Sequence, residues 1–166
     1  GVKIYNNRIA DLLTSTAAVT IRGFYQFSAA FTGSPVMFYN NFIALGKDLT
    51  SNPTIYGIDV NTSATGTPTQ IYYNSVYISG TASAGANNSM AFRRSVADLL
   101  IDVRDNSFYN TRTNTAGTGT HWAIGLSSSA VGTINNNNYY ADGVGGVLGT
   151  TTNAAAGNQT TLAGWK

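Results

Sequence analysis

One asparagine recurs along this 166-residue chain at a nearly constant spacing. It lies within a short motif of alternating apolar and polar residues, such as Ile4–Ile9 (IYNNRI) and Phe38–Ile43 (FYNNFI). The asparagines concerned are Asn7, Asn41, Asn74, Asn106 and Asn137, spaced by 34, 33, 32 and 31 residues. A fixed period of roughly 20 to 50 residues is typical of a repeat architecture.

A second motif lies between the asparagine motifs and keeps the same period. It occurs at Thr20–Phe24, Thr54–Ile58, Ser89–Phe92 and His121–Ile124. Two motifs with one period predict a coil of roughly 33 residues that contains three short strands and a bend at the asparagine. Helical repeats of similar length need amphipathic helices, which this pattern does not show. A β-sandwich is the alternative, but it would not explain the register of the asparagines.

We therefore predict an all-β fold, a right-handed parallel β-helix of about five coils with an asparagine ladder at one bend. The predicted single domain spans residues 1–166, with repeats at about 1–34, 35–67, 68–99, 100–131 and 132–166. Asparagine suits such a bend because it tolerates left-handed backbone and its amide bonds to turn backbone. Stacked asparagines can also bond to one another along the axis.

The alternation around each asparagine predicts which side chains point into the coil. We expect inward positions three residues before and two residues after it. These are Ile4, Phe38, Ile71, Val103 and Ile134, then Ile9, Ile43, Val76, Phe108 and Tyr139.

Composition excludes several classes of protein. Only 10% of residues are charged and the net charge is +2, which is too little for a nucleic-acid footprint. The lack of cysteine excludes disulfides and thiolate metal sites. No segment has the roughly 20 apolar residues of a membrane-spanning helix, so we expect no membrane insertion. The first residues already follow a strand pattern, and we interpret the chain as a mature or excised piece.

The motifs resemble the pectate-lyase-like parallel β-helix superfamily, whose shared feature is a stacked asparagine between two short strands. The stretches Asn137–Gly143, Gly146–Gly149 and Thr161–Trp165 resemble a closing stretch of large secreted bacterial surface proteins with β-helix repeats. Those proteins are often exported by a C-terminal sorting domain. The resemblance implies an extracellular or cell-surface location. It implies no enzyme activity, because the superfamily includes lyases, hydrolases, adhesins and passive stalks.

Acidic residues and histidines are few: the chain has seven aspartates, no glutamate and one histidine. Asp102 and Asp105 form the best local pair, either as solvated turn carboxylates or as a weak Ca²⁺ site. Asp59 and Arg93 should face each other on adjacent coils as a cross-strand ion pair, which is worth well under about 1 kcal/mol if it is exposed. His121 is interpreted as a hydrogen-bonded histidine at the edge of a strand. We therefore expect no enzyme activity, no cofactor and no metal site.

Two tyrosine rows should lean outward. Tyr5, Tyr39 and Tyr72 precede the ladder asparagine by two residues, and Tyr77, Tyr109 and Tyr140 follow it by three. The rings can stack on one another and stiffen the solenoid. Alternatively, they can form a platform for sugar rings, because flat aromatic faces beside hydroxyls suit glycans.

The first coil shows no polar cap, because Val2 and Ile4 already follow the inward pattern. Such an open edge favours contact with coils of a longer chain or, end to end, with another copy in a filament. Residues Val144–Trp165 are expected to cover the last coil. We expect an extracellular structural or adhesive module. A carbohydrate-binding module is the alternative, and a polysaccharide lyase or hydrolase is the least favoured reading.

Overall fold

The computed structural model describes residues 1–27, 33–61, 67–97, 100–128 and 132–165. These residues form short strands that wind into five stacked coils. The first two coils contain β1 (Lys3–Tyr5), β2 (Arg8–Ala10), β3 (Thr20–Gln26), β4 (Met37–Tyr39), β5 (Phe42–Leu45) and β6 (Thr54–Val60). The third contains β7 (Thr69–Tyr72), β8 (Ser75–Ile78), β9 (Thr81–Ala82) and β10 (Ser89–Arg94). The fourth contains β11 (Ile101–Arg104), β12 (Ser107–Asn110), β13 (Thr113–Asn114) and β14 (His121–Leu126). The fifth contains β15 (Thr133–Asn135), β16 (Asn138–Ala141) and β17 (Gly146–Thr150).

Three sheets run along the axis of the coils. The first sheet is β1-β4-β7-β11-β15, the second is β2-β5-β8-β12-β16, and the third is β3-β6-β10-β14-β17. A small sheet pairs β9 with β13. Every pairing between coils is parallel, as a solenoid requires and a sandwich of hairpins does not. The predicted β-helix is confirmed.

The core is a set of inward-facing stacks, one residue per coil. The central members Phe38, Ile71 and Val103 of the first stack are fully buried. So are Ile43, Val76 and Phe108 of the second stack. Each such side chain contributes roughly 1.5–3 kcal/mol by leaving water. The predicted members on the end coils, Ile4, Ile9, Ile134 and Tyr139, are only partly buried because each has a neighbouring coil on one side.

The five asparagines form the predicted ladder between the first and second sheets. Each of the first four donates both its backbone N–H and its side-chain Nδ2–H to Oδ1 of the next, at 2.8–3.0 Å. Spare amide hydrogens reach strand carbonyls, as from Asn74 Nδ2 to Phe38 O at 2.9 Å. The ladder therefore joins all five coils by side-chain and backbone hydrogen bonds.

The sequence analysis assigned the left-handed backbone at each bend to the ladder asparagine, but the structure places it one residue earlier. The residues with positive φ, between 54° and 57°, each precede a ladder asparagine: Asn6, Asn40, Tyr73, Asp105 and Asn136. The ladder asparagine itself must direct its backbone N–H and its amide along the axis. The reversal of the chain therefore falls on the residue before it.

The last residues cover part of the C-terminal end. A 3₁₀ turn (Ala155–Gly157) leads to β18 (Asn158–Gln159), which pairs antiparallel with β17. The following helix α1 (Leu162–Trp165) places the Trp165 ring 6.0 Å from the Tyr139 ring. The prediction that this part of the chain covers the last coil is confirmed for β18 and Trp165.

Candidate functional site

A shallow groove lies on the outer face of the second sheet. It is about 300 Å³ in volume. Its lining residues, which define the second-sheet groove, are Phe42, Ser75, Val76, Tyr77, Ser107 and Tyr109. Phe42, Ser75 and Ser107 occupy equivalent positions on three successive strands, and Tyr77 pairs with Tyr109 two residues further along. Strand alternation directs these side chains away from the core.

The groove lies beside the tyrosine row of the second sheet, at the point where Tyr77 and Tyr109 do not stack on each other. Tyr77 and Tyr109 are in register, but their hydroxyls bond at opposite ends of the strands. Tyr77 Oη accepts from Thr111 Oγ1 at 3.1 Å, whereas Tyr109 Oη accepts from Asn138 Nδ2 at 2.9 Å. Tyr109 stacks on Tyr140, with ring centroids 5.4 Å apart. In the described part of the chain Tyr77 stacks on no other ring, and its side chain is 41% exposed.

The tyrosine row on the first sheet is arranged differently. The rings of Tyr5 and Tyr39 stack at 4.9 Å with an interplanar angle of 5°, so each covers a face of the other. Tyr72 donates its hydroxyl to Asp102 Oδ2 at 2.6 Å. Burial, followed by this bond to a carboxylate, raises the pKa of Tyr72 to about 12. This row has the packing expected of aromatic pairs that stiffen a sheet.

The two aspartates singled out from the sequence do not form a joint site. Asp102 lies on the outer face as predicted, where Arg104 donates to both its oxygens at 2.6 and 3.0 Å. Asp105 occupies the left-handed bend position. Across the ranges that the structure describes, no group of three or more His, Cys, Asp or Glu side chains is placed to hold a metal ion. A further aspartate, Asp98, lies outside the described residues.

The predicted Asp59–Arg93 ion pair is confirmed, and its carboxylate is buried. The two residues are in register on β6 and β10, and Arg93 Nη1 lies 3.2 Å from Asp59 Oδ1. The carboxylate is fully buried because Arg22 also covers it, with Nε 2.8 Å from Oδ2. Arg22 and Arg93 lie over the rings of Tyr25 and Tyr56 at 4.4 and 4.5 Å. Two cations and two rings therefore shield a single carboxylate from water.

His121 begins β14 and is hydrogen-bonded, as predicted, and it is also fully buried. Its Nδ1 accepts from Ser89 Oγ at 2.9 Å. Its Nε2 donates to Asn114 Oδ1 at 3.0 Å, a direction fixed because Asn114 Nδ2 already donates to Gly119 O. Burial, followed by the charge of Arg112, lowers the pKa of His121 to about 4. The ring is therefore neutral, and both Ser89 and His121 are fully buried away from any substrate.

A buried arginine was missed from the sequence. Arg112 extends along the axis and donates to Ser79 O at 3.3 Å and to Ser51 O at 2.6 Å, and so links three coils. Burial lowers its pKa. No carboxylate contacts it in the described part of the chain. The one sequence signal is Gly80, on the adjacent coil, whose missing side chain leaves room for this guanidinium.

Comparisons with protein-family models, with curated proteins and with solved structures found no match to this chain. Within the described ranges, none of the helices has the length and apolarity needed to cross a membrane. The sheets and the ladder define the class of the protein, which is a parallel β-solenoid built from repeats.

Proposed function

We propose that this chain is an extracellular, non-enzymatic β-solenoid module with a structural and adhesive role. The observation that carries the proposal is the unbroken ladder from Asn7 to Asn137. It joins the five coils into one elongated unit, because every step of the ladder bonds one coil to the next along the axis. Such a unit suits a spacer that holds its outer faces in fixed positions.

Three buried ionisable side chains support a structural role because they are bonded to the fold itself. Asp59 is enclosed by two arginines, and His121 is held between a serine and an asparagine. Arg112 bonds to carbonyl oxygens of two other coils. A general acid or base must reach a substrate proton at hydrogen-bond distance, and buried groups of this kind are poorly placed to do so.

The adhesive part of the proposal rests on the outer faces of the sheets. Phe42 and Tyr77 are more than two-fifths exposed on the second sheet, as is Tyr5 on the first. Exposed aromatic rings are typical of contact surfaces. Secretion is part of the proposal, and its support is the resemblance noted above between the last stretches of the sequence and the closing stretch of bacterial surface proteins.

The proposed partners include another β-solenoid coil that stacks on the edge formed by β1, β2 and β3. Val2 is 57% exposed there, and Ile4 and Ile9 are only partly buried. The hydrogen bonds of the ladder all run in one direction, because each asparagine donates to the next one along the chain. At this edge the acceptor Asn7 Oδ1 therefore receives no bond from the described residues. At the opposite end β18 and Trp165 obstruct the third sheet and the core. This arrangement favours stacking of a further coil at the β1 edge over a head-to-tail filament.

The proposal is tested by measuring binding and turnover together. The purified chain is incubated with neutral and acidic polysaccharides, with and without Ca²⁺, and both retention and product release are measured. We expect retention without turnover. A turnover rate that Asp102→Ala or Asp105→Ala abolishes would contradict the non-enzymatic role. Antibody labelling of intact and permeabilised native cells tests the location, and labelling only after permeabilisation would contradict it.

A further inference from the structure

We propose that the second-sheet groove binds the pyranose rings of a neutral saccharide, with Tyr77 as the stacking residue. This inference rests on the adhesive part of the proposed function and gives it a ligand class. The non-enzymatic, structural part does not depend on it.

The first argument is that the groove offers an uncovered aromatic face. In the first-sheet row, Tyr5 and Tyr39 cover each other, so mainly ring edges face outward. Tyr77 has no such partner in the described part of the chain, because Tyr109 turns toward Asn138. Its hydroxyl is held by Thr111, which fixes the ring plane. A fixed, exposed ring presents the flat apolar surface on which the C–H face of a sugar packs.

The second argument concerns hydroxyl groups that line the same groove. Ser75 and Ser107 are paired in register on β8 and β12 and both line the groove. Among the described residues Ser75 and Ser107 bond through their backbone, and neither side-chain hydroxyl has a hydrogen-bond partner. Each can donate one bond and accept two. Free hydroxyls one strand spacing apart can bond to the ring substituents of a sugar that lies across the two strands.

The third argument is the lack of charge and the size of the groove. None of the six lining residues is ionised at neutral pH. A uronate or sulfate would therefore lose hydration here without gaining an ion pair. The volume of about 300 Å³ lies at the small end of the range for ligand sites, which favours one or two sugar rings. Phe42 also lines the groove and is 44% exposed.

Binding is measured by isothermal titration and by saturation-transfer NMR on the full chain. The probes are cellotetraose and mannotetraose as neutral ligands, with tetragalacturonate as the charged comparison. We expect at least one neutral probe to bind, and Tyr77→Ala to weaken that binding by about tenfold, since it removes the ring face. Phe42→Ala should weaken it less, because Phe42 lies on the neighbouring strand and two register positions away from Tyr77.

The matched control is Tyr5→Ala, which removes a similarly exposed tyrosine from the first sheet. It should leave the affinity within about twofold, because Tyr5 is outside the groove. Thermal unfolding of each variant shows whether it is still folded, so a loss of binding is not mistaken for a loss of folding. The inference is overturned if no neutral probe binds, if only tetragalacturonate binds, or if Tyr77→Ala and Tyr5→Ala act alike. Self-association through the groove, seen by sedimentation and abolished by Tyr77→Ala, would also overturn it.

Discussion

Asn41 donates its backbone N–H and its side-chain amide to the same acceptor, Oδ1 of Asn74, both at 3.0 Å. One oxygen thus satisfies two donors of the coil before it. Asn74 repeats the arrangement with Asn106. Each inner asparagine is therefore both the acceptor for one coil and the donor for the next, so the loss of one member affects three coils.

Replacement of Asn74 by alanine should destabilise the protein by about 3 kcal/mol, because it leaves several buried groups without partners. Asn74 is 1% exposed, and the change would leave the donors of Asn41 and the acceptor of Phe38 unpaired. Asn138→Ala is the control. Its side chain is exposed and bonds only to Tyr109 Oη, so the loss should be below about 1 kcal/mol. Urea unfolding measures both, and equal losses would contradict the ladder as a source of stability.

Tyr73→Asn should stabilise the protein by about 1 kcal/mol, because tyrosine is strained in the left-handed region and asparagine is not. Tyr73 has φ 55° and is 63% exposed, so the change removes little packing. The equivalent residues in the other coils are asparagine or aspartate. Tyr77→Asn, at an exposed tyrosine within a strand, is the control and should not stabilise. A melting temperature for Tyr73→Asn at or below that of the unaltered protein would refute the strain argument.

Asp59→Asn should destabilise the protein by about 2 kcal/mol, because it leaves two partly covered arginines without their carboxylate. The matched control is Asp102→Asn, which removes the carboxylate of the Arg104 pair on the first sheet. Arg104 is about half exposed, so water compensates for the loss and the effect should be smaller. The two variants are compared by unfolding in urea, an uncharged denaturant, at low and at high salt. A larger loss for Asp102→Asn would show that the shielding of Asp59 adds nothing.

The fold could be predicted from the sequence because the repeat fixes the register. Once Asn41 and Asn74 are aligned, strand alternation assigns every side chain of the motif to the inner or outer face. The left-handed residue could not be assigned in the same way. Asn40 and Asn41 are adjacent and of one type, and only the direction of the hydrogen bonds distinguishes them.

The candidate site was only partly predictable. Tyr77 and Tyr109 could be placed on one face, but the divergence of their rings depends on Thr111 and Asn138, which lie outside the repeated pattern. The burial of Asp59 likewise depends on Arg22, which lies on the first coil, whereas Arg93 lies on the third. Contacts between unlike residues on neighbouring coils leave no periodic signal, so spacing alone cannot reveal them.

Stability should fall as the pH is lowered from about 6.5 to about 4 because His121 stays neutral only in the fold. Its pKa is lowered from 6.5 to about 4, so in this window the unfolded chain binds a proton that the folded chain does not. The shift corresponds to roughly 3 kcal/mol, present above pH 6.5 and lost progressively toward pH 4. Urea unfolding across this range measures it.

The control for the pH prediction is His121→Gln, which removes the titrating ring and keeps a polar side chain. Its stability should be lower at pH 7, because the bonds to Ser89 and Asn114 are disturbed. Its dependence on pH between 6.5 and 4 should be flatter. The carboxylates titrate in both proteins and largely cancel in the difference. Parallel curves for the two proteins would show that His121 is protonated as easily in the fold as in the unfolded chain.

Trp165→Ala should uncover the C-terminal end of the solenoid. The ring packs against Tyr139 and lies so close to Gly149 that a Cβ there would be 2.6 Å from it. Its loss should cost about 1 to 2 kcal/mol, because the ring is only partly buried. It should also promote association, because the exposed Tyr139 and Ile134 sit beside the free strand edges of β15 and β16. Leu162→Ala, in the same short helix and 53% exposed, is the control and should do neither. Calorimetry and light scattering over a range of concentrations measure the two effects, and a Trp165→Ala protein as stable and as monomeric as Leu162→Ala would show that the ring is not a cap.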